Sequence, residues 1–124
     1  MPDNRLSQTP SVAALSPFER GCWIAFNRTP GIGVTRFRRL LDRFGALEQA
    51  WRAPRAELAT AGLDRRSLDA LVAARAHIDP ARELDRALSV GARAITWRDP
   101  EYPALLAAIP DPPPVLYVKG TLND

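Results

Sequence analysis

Cysteine and histidine are almost absent from this sequence: Cys22 and His77 are the sole examples among 124 residues. One cysteine cannot form an internal disulfide, and one thiol with one imidazole is too few for a zinc site. We therefore expect no metal and no cofactor. Cys22 is predicted to be a small core residue rather than a nucleophile, and His77 to interact with the carbonyls at a helix end.

Nucleotide-binding motifs are missing as well. Gly31-Ile32-Gly33 has no third glycine and follows a predicted helix instead of a strand, so it does not match a dinucleotide fingerprint, and no Walker-type loop is present. The acidic residues fall at predicted helix starts or exposed positions, where they complement the helix dipole. The sequence thus indicates no catalytic residues.

The sequence also has no long apolar run near Met1. This argues against a signal peptide or a membrane-spanning helix, so the expected location is the cytoplasm and no membrane contact is expected.

Lysine is nearly absent too, with sixteen arginines against the single Lys119 and a net charge of +3. The excess is local. Residues 34–66 contain eight arginines and four acidic residues, a balance of +4, whereas the flanking segments are about neutral. A patch of this kind favours an anionic partner.

Most of the chain has the spacing of short helices. Residues 1–15 have the composition of a disordered tail. Ser16, Pro17 and Glu19 then predict an N-cap followed by a capping box, in which the Glu19 carboxylate returns a hydrogen bond to the cap. Helices are predicted from Pro17 to about residue 27 and at 34–44, 46–51, 54–61, 67–77 and 80–90, with Trp23 and Trp51 in the core.

The architecture changes at residues 92–124, where two apolar runs flank one short helical turn. This order predicts strand, helix, strand. Because an isolated strand pair is only marginally stable in water, we expect the sheet to continue in further residues. Trp97 and Tyr102 are predicted to seal the contact between the helices and these strands, with stacking on a nucleic-acid base as the alternative.

Two junctions between helices resemble each other. Pro30-Gly31-Ile32-Gly33 is echoed about thirty residues later by Thr60-Ala61-Gly62-Leu63, a pattern typical of tandem helix-hairpin-helix units. At the first junction, Gly31 and Gly33 allow close backbone approach, and the amides of Ile32, Gly33 and Val34 can face a phosphate. The predicted DNA-binding residues are Gly31, Ile32, Gly33, Arg36, Arg39 and Arg43.

The three arginines of this set recur at i, i+3 and i+7 on one exposed face, with no acidic residue four positions away. Such a face suits a phosphate backbone and gives no base readout, so binding would be independent of sequence and sensitive to salt. The alternative is that the glycines only turn the chain and the arginines only solvate a helix face.

Two stretches together resemble the DNA-processing protein A (DprA, also called Smf) family. The first runs from Trp97-Arg98-Asp99-Pro100-Glu101-Tyr102-Pro103 through Asp111-Pro112-Pro113-Pro114-Val115-Leu116-Tyr117-Val118-Lys119-Gly120. The second is Thr29-Pro30-Gly31-Ile32-Gly33 with Leu40-Leu41-Asp42-Arg43-Phe44-Gly45. The resemblance implies a mainly α fold: a SAM-like, helix-hairpin-helix-like bundle over residues 16–91, and at 92–124 the strand-helix-strand start of an α/β Rossmann-like domain.

The same resemblance implies a cytoplasmic, non-catalytic protein that binds single-stranded DNA and loads the RecA recombinase during natural transformation. The family's main DNA pocket, with its Gly-Ser-Arg turn, and its homodimer surface would follow Asp124, so residues 31–43 would be an accessory site. Two alternatives remain open from the sequence. One is a free-standing helix-hairpin-helix module that binds duplex DNA, and the other is a protein-interaction domain that binds no DNA.

Overall fold

The computed structural model describes residues 14–119; residues 1–13 of the predicted tail and residues 120–124 lie outside this range. Within it the chain is mainly helical and ends in a two-stranded sheet, which confirms the predicted fold class. The elements in chain order are α1 (Pro17–Arg28), α2 (Val34–Phe44), α3 (Leu47–Arg52), α4 (Arg55–Ala59), α5 (Arg65–Arg75), α6 (Pro80–Ser89), β1 (Ala92–Thr96), α7 (Ala104–Ala107) and β2 (Val115–Lys119).

Helix α1 forms the centre of the fold. Its side chains at Cys22, Trp23 and Phe26 have no solvent exposure. Helices α2 to α5 and both strands contribute buried residues to the same core, and Leu84 of α6 packs against it. Trp51 packs edge-on against Phe26, with ring centroids 5.1 Å apart. The predictions that Cys22, Trp23 and Trp51 belong to the core are confirmed.

The start of α1 differs from the predicted capping box. Ser16 is the N-cap, and its hydroxyl accepts a hydrogen bond from the Glu19 amide at 3.0 Å, as expected. The Glu19 carboxylate, however, turns into the protein, where Glu19 is 7% exposed. It accepts hydrogen bonds from the amides of Leu47 and Glu48, at 2.7 and 2.8 Å, and from Trp23 Nε1 at 3.1 Å. Glu19 therefore caps α3 instead of its own helix.

Helices α1 and α6 pack closely because α1 has a glycine at the crossing. A Cβ atom added at Gly21 would lie 2.2 Å from the Pro80 carbonyl oxygen, which is backbone and cannot rotate away. Gly21 is thus required by the approach of α6 and not by an unusual backbone conformation.

We expect Gly21→Ala to destabilise the protein by about 2 kcal/mol in chemical denaturation. Alanine is about 1 kcal/mol more favourable than glycine in a helix interior. Overpacking typically costs about 1–3 kcal/mol, and here the added methyl group would also push two helices apart. Gly33→Ala is the control, since no atom lies within 4 Å of the position that its Cβ would occupy and its φ is −86°. Equal stability of the two variants would contradict this account of the crossing.

Helix boundaries agree with the predictions to within one residue except at the two ends of the second glycine turn and at the end of α5, which stops at Arg75 instead of about residue 77. Helix α5 begins at Arg65, two residues earlier than predicted, because Asp64 is the N-cap and accepts a hydrogen bond from the Ser67 amide at 2.8 Å. Helix α4 ends at Ala59, two residues early, and the chain then turns through Gly62. Asp79 caps α6 with its side chain, as Asp64 caps α5.

The strands β1 and β2 pair in antiparallel register, from Ala92 opposite Lys119 to Thr96 opposite Val115. A parallel sheet of Rossmann type is not present within residues 14–119. The pair is stabilised by docking on the helices: Ala94 and Val115 join the core, and the Trp97 ring meets Trp23 edge-on at 5.8 Å between centroids. Trp97 therefore seals the contact between helices and strands, as predicted.

A buried ion pair between Arg20 and Asp99 also connects α1 to the turn that follows β1. The Arg20 guanidinium donates to both Asp99 carboxylate oxygens, Nη1 to Oδ2 at 2.7 Å and Nη2 to Oδ1 at 2.9 Å, and Nη1 also donates to the Ala94 carbonyl at 2.7 Å. Asp99 is 7% exposed. Burial alone would raise the pKa of Asp99, but hydrogen bonds from Arg20 and Thr96 outweigh it and lower that pKa below its usual range.

Candidate nucleic-acid interface

The first glycine turn connects α1 to α2. Gly31 has φ +85°, a left-handed conformation that a residue with a side chain adopts only under strain. Ile32 is 8% exposed, and its amide donates to the Thr29 carbonyl at 3.3 Å. Ile32 anchors the turn to the core and its amide already has a partner, so a phosphate contact there stays a prediction, while Gly31 and Gly33 are exposed on either side of it.

The N-terminus of α2 follows this turn and has positive character. Gly33 is its N-cap and supplies no side-chain hydrogen bond, and the first turn contains no acidic residue. The amides at a helix start have no partner inside the helix and form the positive end of its dipole. The start of α2 can therefore face an anion through the Gly33 and Val34 backbone.

The three predicted arginines extend from α2 toward the second glycine turn. Arg36 Nη1 donates to the Gly31 carbonyl at 3.3 Å, and its Nη2 lies 3.4 Å from Asp64 Oδ2. Arg39 Nη1 donates to the Gly62 carbonyl at 3.2 Å, and Arg43 Nε donates to the Thr60 hydroxyl at 2.8 Å. We call Arg36, Arg39 and Arg43 the arginine row.

The structure gives the arginine row an acidic partner that the sequence spacing did not indicate. No carboxylate lies within one helical turn of Arg36 in the sequence, but the chain path brings Asp64 to it from 28 residues away. Hydrogen bonding by Ser67 and, to a smaller extent, the charge of Arg36 lower the pKa of Asp64, so its carboxylate is ionised at neutral pH. Arg39 and Arg43 contact neutral acceptors, and among residues 14–119 neither has an acidic partner.

The contacts of Arg36 and Arg39 connect the second glycine turn, at Gly62, to the first, at Gly31. Gly62 has φ +88°, nearly the value of Gly31, and the Arg39 side chain lies 3.3 Å from the position that a Gly62 Cβ would occupy. The sequence echo between the two junctions thus corresponds to two similar turns, which the arginine row joins across one surface.

Two further arginines directly follow Asp64, the residue that contacts Arg36, and were not among the predicted site residues. Arg65 and Arg66 are exposed and occupy the first turn of α5, where a positive charge is unfavourable for the helix dipole. Asp64 with Ser67 three residues later is a capping pattern that starts the helix at Arg65. This pattern would have placed both arginines in the first turn of α5 from the sequence.

A cysteine, clusters of metal-ligating side chains and long apolar helices are the other features that could indicate a function. Burial raises the pKa of the Cys22 thiol to about 12, which keeps it protonated and unreactive. Between residues 14 and 119, no three metal-ligating side chains of the His, Cys, Asp or Glu type come together. In the same range, each helix is too short or too polar to cross a bilayer.

Comparison with known proteins connects the chain to a named relative. The chain is 34% identical over 106 residues to a protein from Synechocystis sp. described as "Protein Smf", and the alignment covers 85% of this chain and 27% of that protein. The chain thus spans about a quarter of the length of the relative that it matches. No family model matches the chain, and no solved structure matches it.

Proposed function

This chain belongs to the DNA-processing DprA/Smf family, and we propose that it is the N-terminal part of a member that binds single-stranded DNA and loads the RecA recombinase in natural transformation. In this proposal the helices contribute an accessory DNA contact and no catalytic step. The partners are single-stranded DNA and, through the complete protein, RecA.

The observation that carries the proposal is the arginine row between two glycine turns. Its guanidinium groups span from Gly31 to Thr60 along one surface, next to the uncapped start of α2. Asp64 is the one carboxylate among residues 14–119 that contacts the row. Sugar-phosphate backbones are bound by surfaces of this kind, through guanidinium groups and helix N-termini without base readout.

One alternative is also supported by an observation. The arginine row contacts both glycine turns, through the Gly31 and Gly62 carbonyls, and two neighbouring turns of this kind are expected of a tandem helix-hairpin-helix module on duplex DNA. The two functions differ in the preferred form of DNA, so the same titration separates them.

We expect the chain to bind a fluorescent single-stranded oligonucleotide at low salt, and Arg36→Ala/Arg39→Ala/Arg43→Ala to weaken that binding by about tenfold or more. Each single-strand phosphate contact contributes about 0.7 to the slope of log K against log salt, so the slope should fall by about 2 in the triple variant. Fluorescence anisotropy at several salt concentrations measures both quantities.

Two control variants make the result specific. The corresponding triple lysine variant keeps the charge and should retain most of the salt slope. Arg82→Ala/Arg86→Ala/Arg93→Ala removes three charges from α6 and β1, away from the arginine row, and should bind within about threefold of the wild type. Equal losses of affinity in both alanine variants would mean that binding depends only on net charge. Tighter binding of duplex than of single strands would favour the helix-hairpin-helix alternative. No binding at low salt would contradict both DNA functions.

A further inference from the structure

A cleft of about 350 Å³ lies on the other side of α2 from the arginine row. It separates α2 from the segment that follows β1. Its lining combines two guanidinium groups, two aromatic rings, an aliphatic floor and one carboxylate: Arg38, Arg98, Trp97, Tyr102, Leu41, Ala107, Pro112 and Asp42. The volume lies within the range of small-ligand pockets, which begin at about 300 Å³.

The aromatic wall of this cleft is rigid. Trp97 is held edge-on by Trp23 at 5.8 Å and by Phe37 at 5.4 Å between centroids, so its ring position is set by the core. The Tyr102 hydroxyl donates to the Pro113 carbonyl at 2.6 Å, which holds the second aromatic ring of the lining in place. A preformed wall loses little conformational entropy when a ligand binds.

The Arg38 guanidinium lies over this wall. Its Cζ is 5.2 Å from the Trp97 ring centroid, and the Arg38 side chain is exposed to solvent. A guanidinium held over an indole by a cation–π contact can offer its free, planar face to another flat, electron-rich ring. The two arginines against Asp42 leave the cleft with a net positive charge, which favours a ring attached to a phosphate.

We propose that the cleft binds one unstacked base of single-stranded DNA, stacked on Arg38 with Trp97 beneath it. Single-strand binding sites combine a positive groove with such stacking platforms, and they tolerate any base because every base has a flat face. In a duplex both faces of a base are already stacked, so the cleft would select single strands. Arg38 points to a different side of α2 from Arg36 and Arg39, because residues one or two apart in a helix do not share a face. A strand that contacts both the arginine row and the cleft must therefore pass round α2, a helix about 10–12 Å across.

This inference rests on the proposed function, and the experiment separates the two. Binding of an oligothymidine is compared with binding of an abasic deoxyribose-phosphate oligomer of the same length, by competition at fixed salt. We expect the wild-type chain to bind the base-bearing oligomer about five- to tenfold more tightly, the effect of stacking one base.

Two variants test whether the cleft causes this preference. Arg38→Ala removes the stacking surface, and Ala107→Leu fills the cleft from an exposed position without changing charge. Both should bring the ratio of affinities close to one. Arg38→Lys keeps the charge but loses the planar face and should behave like Arg38→Ala, whereas Arg82→Ala removes one charge from α6 and should leave the ratio unchanged.

The arginine-row variant should weaken both oligomers equally and keep the ratio. Equal binding of the two oligomers by the wild type would overturn the base site alone and favour a protein segment as the occupant of the cleft. A ratio that survives in both Arg38→Ala and Ala107→Leu would overturn it as well. No binding of either oligomer at low salt would overturn the proposed function and the base site together.

Discussion

Asp99→Ala is expected to lower the free energy of unfolding by about 3–5 kcal/mol, the usual cost of removing one partner from a buried ion pair. The loss is large because Arg20 would remain partly buried without its carboxylate, and because the amide and hydroxyl of Thr96 would lose their acceptor, now at 2.7 and 3.0 Å. Typical domains are stable by about 5–15 kcal/mol, so the variant would be marginal at 25 °C. Urea denaturation followed by far-UV circular dichroism measures the change.

The ion pair between Arg93 and Glu101 provides a matched control. Glu101→Ala breaks this pair, whose closest atoms are 3.0 Å apart and whose side chains are both more than 40% exposed. Exposed pairs contribute about 0–1 kcal/mol, so this variant should be nearly as stable as the wild type. Similar losses in the two variants would contradict the importance of burial at Asp99.

The buried pair of Arg20 and Asp99 also makes stability depend on pH in a defined direction. The folded-state pKa of Asp99 lies below its unfolded value of about 3.9. The unfolded chain therefore binds this proton first as the pH falls, so the stabilisation is complete above about pH 4 and is lost below it. In Asp99→Asn this part of the acid dependence should disappear.

Hydrogen exchange locates the effect within the fold. Because Arg20 and Asp99 join α1 to the turn after β1, the amides of Ala92–Thr96 and Val115–Lys119 should lose protection in Asp99→Ala before those of α1. Trp97 forms part of the same turn, so the proposed base site also depends on this ion pair for its position.

Glu19→Ala is expected to destabilise the protein by a similar amount, about 3–5 kcal/mol. The Glu19 carboxylate accepts three hydrogen bonds in the core, two from the first amides of α3 and one from Trp23 Nε1. Each buried donor left without an acceptor costs about 1–3 kcal/mol, and α3 has no other side-chain cap among the described residues. Thermal and urea denaturation should both show the loss.

Two substitutions define what Glu19 contributes. Glu19→Gln keeps a carbonyl acceptor but turns an amide group toward backbone amides, so it should lose about half as much stability as alanine. Glu48→Ala alters a half-exposed side chain that pairs with Arg52 at 3.4 Å and leaves the Glu48 amide bonded to Glu19, so it should cost less than about 1 kcal/mol. If Glu19→Ala lost no more stability than Glu48→Ala, the capping of α3 by Glu19 would contribute little to the stability of the fold.

Local sequence signals were sufficient for the helices and for the strand-helix-strand segment. Ser16 before Pro17 marks the start of α1, and Gly45 with φ +81° ends α2, because caps and turns depend on residues within one helical turn of each other. The spacing of apolar residues correctly placed Trp23 and Trp51 in the core, since the period of 3.6 residues determines which face of a helix is apolar.

The sequence by itself therefore determined the order of the elements, the two glycine turns and the arginines on α2. Only the tertiary structure decided what these side chains contact. Asp64 reaches Arg36 across 28 residues, Glu19 reaches the start of α3 across 28, and Arg20 reaches Asp99 across 79. Spacing along a chain specifies neighbours within about four residues in a helix, whereas a contact between distant residues depends on how every intervening turn directs the chain.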